Sequence, residues 1–157
     1  MPFDSQLQRR IMGRFATGVT VVTTRVGEEL FGMTASAVAS LSLDPPLVLV
    51  CVDKRTALLE ALKQSRAFAM NILREDQEAL SRRFATRGPK EFGDIALTTA
   101  VTGAPIFAEA LGWVDCKVTD IFPGGDHEIL LGEIVAGDYR EGRPLLYFHG
   151  NYARLPG

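Results

Sequence analysis

Between Thr34 and Arg55 stands the densest set of residues able to hold a polar or charged ligand. Thr34, Ser36, Ser40 and Ser42 carry hydroxyls, and Ala35 leaves room for a ligand to reach the backbone. Oriented backbone N–H groups with hydroxyls beside them can hold a phosphate without a glycine-rich loop. The apolar run that follows ends in Cys51-Val52-Asp53-Lys54, with Arg55 next, so positive charge collects where that run stops. The same cluster also reads as a polar turn between two core strands. Asn71 interrupts an apolar run: a buried amide must find partners, which are either neighbouring backbone or the polar edge of a bound ring. His127 follows the turn Pro123-Gly124-Gly125-Asp126, as an exposed turn residue or as a contact at a strand mouth.

Other chemistries lack their residues. There is no G-x-S-x-G and the carboxylates are scattered, so nucleophilic or paired-carboxylate catalysis has no support. Two histidines and two cysteines give no zinc spacing; no metal and no catalytic side chain is assigned. No G-x-G-x-x-G follows a strand, so a dinucleotide must bind without a Rossmann domain. A net charge of −2 leaves no electrostatic footprint for nucleic acid or an anionic membrane. No apolar run approaches the roughly 20 residues that span a bilayer, and the first ten residues have no signal-peptide character. Cys51 and Cys116 sit in apolar strand patterns and read as free thiols of a reducing compartment, hence the cytoplasm.

The 157 residues, 46% hydrophobic and 23% charged, fit one domain spanning 1–157. Asp4 or Ser5 can cap a helix with Leu7, Ile11 and Phe15 on one face, closed by Gly18. Val19 to Thr24 is β-branched throughout and reads as a strand, returning over Leu30 to Ala35. Leu47 to Val52 is a strand buried on both faces. Thr56 caps a helix whose apolar face is Leu58, Leu59 and Leu62. Ala67 to Leu73 is a strand, and a second helix runs from about 75 to 85, with Arg82 and Arg83 in its last turn. Thr86 to Asp94 is a loop. Trp113 to Phe122 and His127 to Val135 form a long hairpin, and Leu145 to His149 a last strand. This pattern is mainly β: a closed or nearly closed antiparallel barrel with helices packed outside.

GMTASAVASLSLDPPLVLVCVDK, preceded by FATGVTVVTT, resembles the flavin reductase-like family. The likeness continues through FAMNIL at 68–73, LSRRFA at 80–85, GDHEILLGEI at 125–134 and PLLYFHGNYARL at 144–155, in order along nearly the whole chain. The resemblance implies a split β-barrel of Greek-key type and an NAD(P)H:flavin oxidoreductase that passes hydride from reduced nicotinamide to FMN or FAD. It also implies a homodimer and reduced flavin supplied to a partner monooxygenase. It assigns cofactor contacts to Thr34, Ala35, Ser36, Ser40, Cys51, Val52, Asp53, Lys54 and Asn71. It puts Arg83 and Phe84 near the flavin, with the arginine available for phosphate, and His127 near the nicotinamide. Ala37 and Val38 depart from a hydroxyl followed by Phe in many members, which leaves FMN or FAD open. The competing readings are a non-catalytic flavin- or haem-binding split barrel and an FMN-dependent oxidase of a small molecule.

Overall fold

The hairpin of Gly112–Gly124 and His127–Tyr139 is the longest ladder among the described residues. The computed structural model describes residues 2–157. In chain order its elements are α1 (Ser5–Met12), β1 (Thr17–Gly18), β2 (Thr20–Val26), β3 (Glu29–Ala35), β4 (Val38–Leu43) and β5 (Pro46–Asp53). Then come α2 (Ala57–Ser65), β6 (Ala67–Ile72), α3 (Glu78–Phe84), β7 (Leu97–Thr98), β8 (Ile106–Phe107), β9 (Gly112–Gly124), β10 (His127–Tyr139), β11 (Leu145–Phe148) and β12 (Asn151–Arg154).

Seven strands make one antiparallel sheet in the order β3-β2-β6-β9-β10-β5-β4. β3 and β4 are consecutive in the chain yet lie at opposite edges, joined only by Ser36 and Ala37. A two-residue link spans at most ~11 Å between flanking Cα atoms. The sheet must therefore curl until its edges meet at that link. The result is a barrel drawn together at the Ser36–Ala37 corner, whose two edge strands do not pair with each other. The mainly β, split-barrel architecture expected from the sequence is the one found.

Alternation in β2 and β6 buries apolar side chains on both faces. Val22, Phe68 and Met70 join Val50, Val52 and Leu130 in one core cluster, with Leu58, Leu59 and Leu62 of α2 packed into it. Val21, on the other face, joins Val19, Leu73, Phe84, Phe92, Phe107 and Leu145 in a second cluster. α2 forms as expected: the Thr56 hydroxyl accepts the Leu59 N–H at 3.4 Å, and the helix ends at Arg66 in the left-handed region (φ 58°).

Several boundaries differ from the sequence reading. α1 is capped by Asp4 but stops at Met12, and none of its residues is buried. α3 begins at Glu78 because Gln77 closes a tight turn first, its side chain accepting the Arg74 N–H at 2.7 Å. β4 runs through the hydroxyl-rich stretch, where an edge strand with one exposed face tolerates Ser40 and Ser42. β12 follows His149-Gly150, both at positive φ, a two-residue turn that folds the C-terminus back on β11.

Candidate functional site

The Ser36–Ala37 corner, the end of β5 and the start of β10 form one continuous rim. The Cys51 N–H donates to the Ala37 carbonyl at 3.0 Å, and the Lys54 N–H donates to the Asp126 carbonyl at 3.0 Å. In the β5–β10 ladder His127 stands opposite Asp53, and Ile129 opposite Cys51. The sequence-assigned Ser36, Cys51, Asp53, Lys54 and His127 are thereby brought together, although 91 positions separate the first from the last. Ser36, Ser40 and Lys54 are exposed, and Cys51, Asp53 and His127 half-buried. Small residues border the corner: Ala35, Ala37 and Ala39.

Charge on the rim is arranged in pairs. The Arg55 guanidinium donates to both Asp53 carboxylate oxygens, at 3.1 and 2.8 Å, and the Arg55 N–H adds a third bond at 2.8 Å. These bonds hold the Asp53 carboxyl well below the usual carboxylate range. Lys54 is the neighbouring cation. His127 Nδ1 lies 2.7 Å from Asp126 Oδ1, and the hydrogen bond lowers the Asp126 carboxyl. A carboxylate only accepts, so Nδ1 carries the shared proton and Nε2 is left for another partner.

β3 leads from the corner to α3. The Thr34 hydroxyl donates to the Ser81 carbonyl at 2.6 Å, and the Thr20 hydroxyl to the Ala35 carbonyl at 2.6 Å. Thr34 is thus a brace between β3 and α3. Ser81 Oγ in turn lies 2.6 Å from Tyr152 Oη, and the Arg82 guanidinium sits 4.8 Å from the centre of the Tyr152 ring. Ser81 escaped the sequence reading because its pairing with Tyr152 depends on the β12 return.

Several assigned contacts take a different form. Asn71 has no solvent exposure, and its side chain bonds Val21, Thr23 and Phe107 inside the chain. Its side chain is a structural amide, not a ring-edge contact, because β6 turns it away from the rim toward β8. Phe84 is likewise sealed, its ring 5.0 Å from that of Phe92 and 5.6 Å from that of Phe107, with Gly32 leaving it space. It walls the second core rather than a ligand. The Val52 and Ala35 side chains also point into the core, which leaves only their backbone to the rim. Arg83 is not free for phosphate: Nη1 and Nη2 fork onto the two Asp94 oxygens at 2.7 and 2.9 Å.

Exposed hydroxyls and an ammonium on the rim are groups able to bond a phosphate or a polar ring edge. Among the described residues no helix is long and apolar enough to cross a membrane.

A family model described as the flavin reductase like domain matches residues 12–156. The chain is 47% identical over 151 residues to the reductase component of 4-hydroxyphenylacetate 3-monooxygenase from Thermus thermophilus, covering 94% of both chains. It is 40% identical over 154 residues to the reductase component of 4-nitrophenol 4-monooxygenase/4-nitrocatechol 2-monooxygenase from Rhodococcus opacus, covering 98% of this chain and 83% of that one. Its fold superposes on the NADH:FAD oxidoreductase SgcE6 of Streptomyces globisporus C-1027 with a TM-score of 0.92 at 37% identity, over 100% of this chain and 96% of the other.

Proposed function

The chain belongs to the flavin reductase like domain family, and from that premise we propose that it is an NAD(P)H-dependent flavin reductase working for a separate monooxygenase. The observation that carries this reading is likeness along the whole chain, in sequence and in fold, to reductase components and NADH-dependent flavin reductases. The flavin is FMN or FAD, and the electron donor NADH or NADPH. Bound flavin supplies the hydride acceptor, so no protein acid or base is needed for the transfer itself.

The chain's own work is to bind, orient and keep out water. Ser36, Ser40 and the backbone at Ala35, Cys51 and Val52 hold the flavin at the barrel corner, with Lys54 as the cation beside it. His127 Nε2, oriented through Nδ1 by Asp126, meets the nicotinamide carboxamide. A cytoplasmic setting suits the two free thiols, Cys51 and Cys116.

The working unit in this reading is a homodimer. Leu7, Ile11, Met12 and Phe15 are exposed along and just past α1, and Leu43 on the β4 edge is 92% exposed. A second copy is the partner proposed to cover them. Sedimentation at micromolar concentration should give twice the chain mass of 17.1 kDa; a single chain mass would contradict the dimer.

The function is tested by following NADH and NADPH oxidation with FMN, FAD, riboflavin or no flavin. Oxidation that depends on added flavin supports it. Flavin or haem binding with no oxidation would favour a non-catalytic binding protein.

A further inference from the structure

His149 is the residue to which the N-terminal helix is tied. α1 has eight residues, and none of them is buried. A helix that short does not hold its shape in water on local bonds alone. Asp4 closes one end, its carboxylate accepting the Gln6 N–H at 2.9 Å. At the other end the His149 N–H donates to the Gly13 carbonyl at 2.8 Å, and Arg14 Nη1 lies 2.9 Å from His149 Nδ1. Among the described residues these are the hydrogen bonds that join residues 5–14 to the rest of the chain.

The turn that carries His149 holds it against the end of α1. His149 (φ 54°) and Gly150 (φ 77°) make the tight turn between β11 and β12. Asn151 Nδ2 donates to the His149 carbonyl at 3.1 Å, and the Phe148 ring centre lies 6.1 Å from that of the imidazole. None of these contacts depends on protonation. The Arg14 bond does. A guanidinium only donates, so His149 Nδ1 is the acceptor and carries no proton. Protonating Nδ1 removes the acceptor and sets two cations against each other. The charged groups on the elements that meet here are Arg9, Arg10 and Arg14 of the α1 segment and Arg154 of β12, with Asp4 at the far end of α1. The phenols of Tyr147 and Tyr152 are the other titratable groups on these elements. Among the described residues no carboxylate pairs with His149 to absorb the added charge.

We propose that His149 is a protonation-controlled latch for α1: neutral, it holds the helix end on the β11–β12 turn, and protonated, it lets the helix loosen. The latched state excludes the proton. It is therefore complete above the imidazole range and is lost as pH falls through about pH 6–7. The consequence for assembly rests on the homodimer proposed for the working unit. Leu7, Ile11 and Phe15, which a second copy covers in that dimer, sit on and just past this helix. Loosening α1 takes them out of a fixed arrangement, so the dimer weakens on acidification.

The test is amide hydrogen exchange of residues 5–14 and sedimentation of the intact protein, at about pH 8 and about pH 5.5. The variants are His149→Asn and Arg14→Met. Asparagine adopts the left-handed region and accepts the Arg14 bond without titrating. On acidification the protection factors of residues 5–14 should fall by about threefold to tenfold in the wild type. The dimer should weaken by about fivefold to thirtyfold, since each dimer holds two latches. His149→Asn should keep both at their alkaline values, and Arg14→Met should show the loosened values at both pH values. Protection factors in the wild type that do not change, or that change equally in His149→Asn, would overturn the proposal. A wild type of single chain mass at both pH values would instead fail the homodimer, and the exchange data then decide the latch by themselves.

Discussion

The side-chain oxygen of Asn71 accepts the Phe107 backbone N–H at 2.9 Å. Its amide nitrogen donates to the Val21 carbonyl at 3.0 Å and to the Thr23 hydroxyl at 3.1 Å. Thr23 in turn donates to the Pro105 carbonyl at 2.6 Å. One buried amide therefore fastens β2 and β6 to the segment that carries β8.

Asn71→Ala should leave several buried groups without partners and cost about 2–4 kcal/mol of stability. At this chain length that lowers the melting temperature by roughly 5–10 °C. Flavin affinity of the folded fraction should stay close to wild type. A variant that melts normally but no longer binds flavin would return Asn71 to the ligand.

His127→Ala should act on the nicotinamide side. Loss of one hydrogen bond, about 1.4 kcal/mol, raises KM for NADH or slows hydride transfer by roughly fivefold to tenfold. Flavin affinity should change little, because the hydroxyls and backbone of the Ser36 corner remain. Steady-state kinetics at saturating flavin, paired with a flavin titration, separates the two. Collapse of flavin binding with intact NADH kinetics would reassign His127 to the flavin.

Cys116 gives a pH prediction. Burial, with the Asp115 charge beside it, pushes its thiol from 9.0 up to about 12. The native state thus keeps this proton longer than the unfolded chain does. The thiol's contribution to stability is complete below about pH 9 and is lost as pH rises toward the native value. Denaturation midpoints should fall on alkaline titration across that window. An alkylating reagent near pH 8 should label half-buried Cys51 first and Cys116 only on unfolding; equal rates for both would contradict the burial of Cys116.

The barrel was legible because β-branched runs, two capped helices and the Pro123–Asp126 turn each announce themselves locally. The rim was legible in part: Ser36, Lys54 and His127 carry polar groups at element ends, where ligands meet backbone. Asn71 and Phe84 sit in equally suggestive blocks, but which face a strand or helix residue takes depends on register and tertiary packing. Here β6 directs Asn71 to the outer layer, and α3 directs Phe84 against Phe92 and Phe107. β4 was hidden because a half-exposed edge strand needs little hydrophobic alternation. The Arg83–Asp94 fork was hidden because the irregular loop that joins the two residues carries no periodicity.

Anaerobic mixing of the protein with one equivalent of flavin and one of NADH tests the central claim most directly. Hydride transfer predicts that nicotinamide absorbance and oxidised-flavin absorbance fall together, one for one, with a slower rate when the transferred hydrogen of NADH is deuterium. Flavin that stays oxidised while NADH remains intact, with FMN, FAD and riboflavin alike and with NADPH in place of NADH, would contradict it.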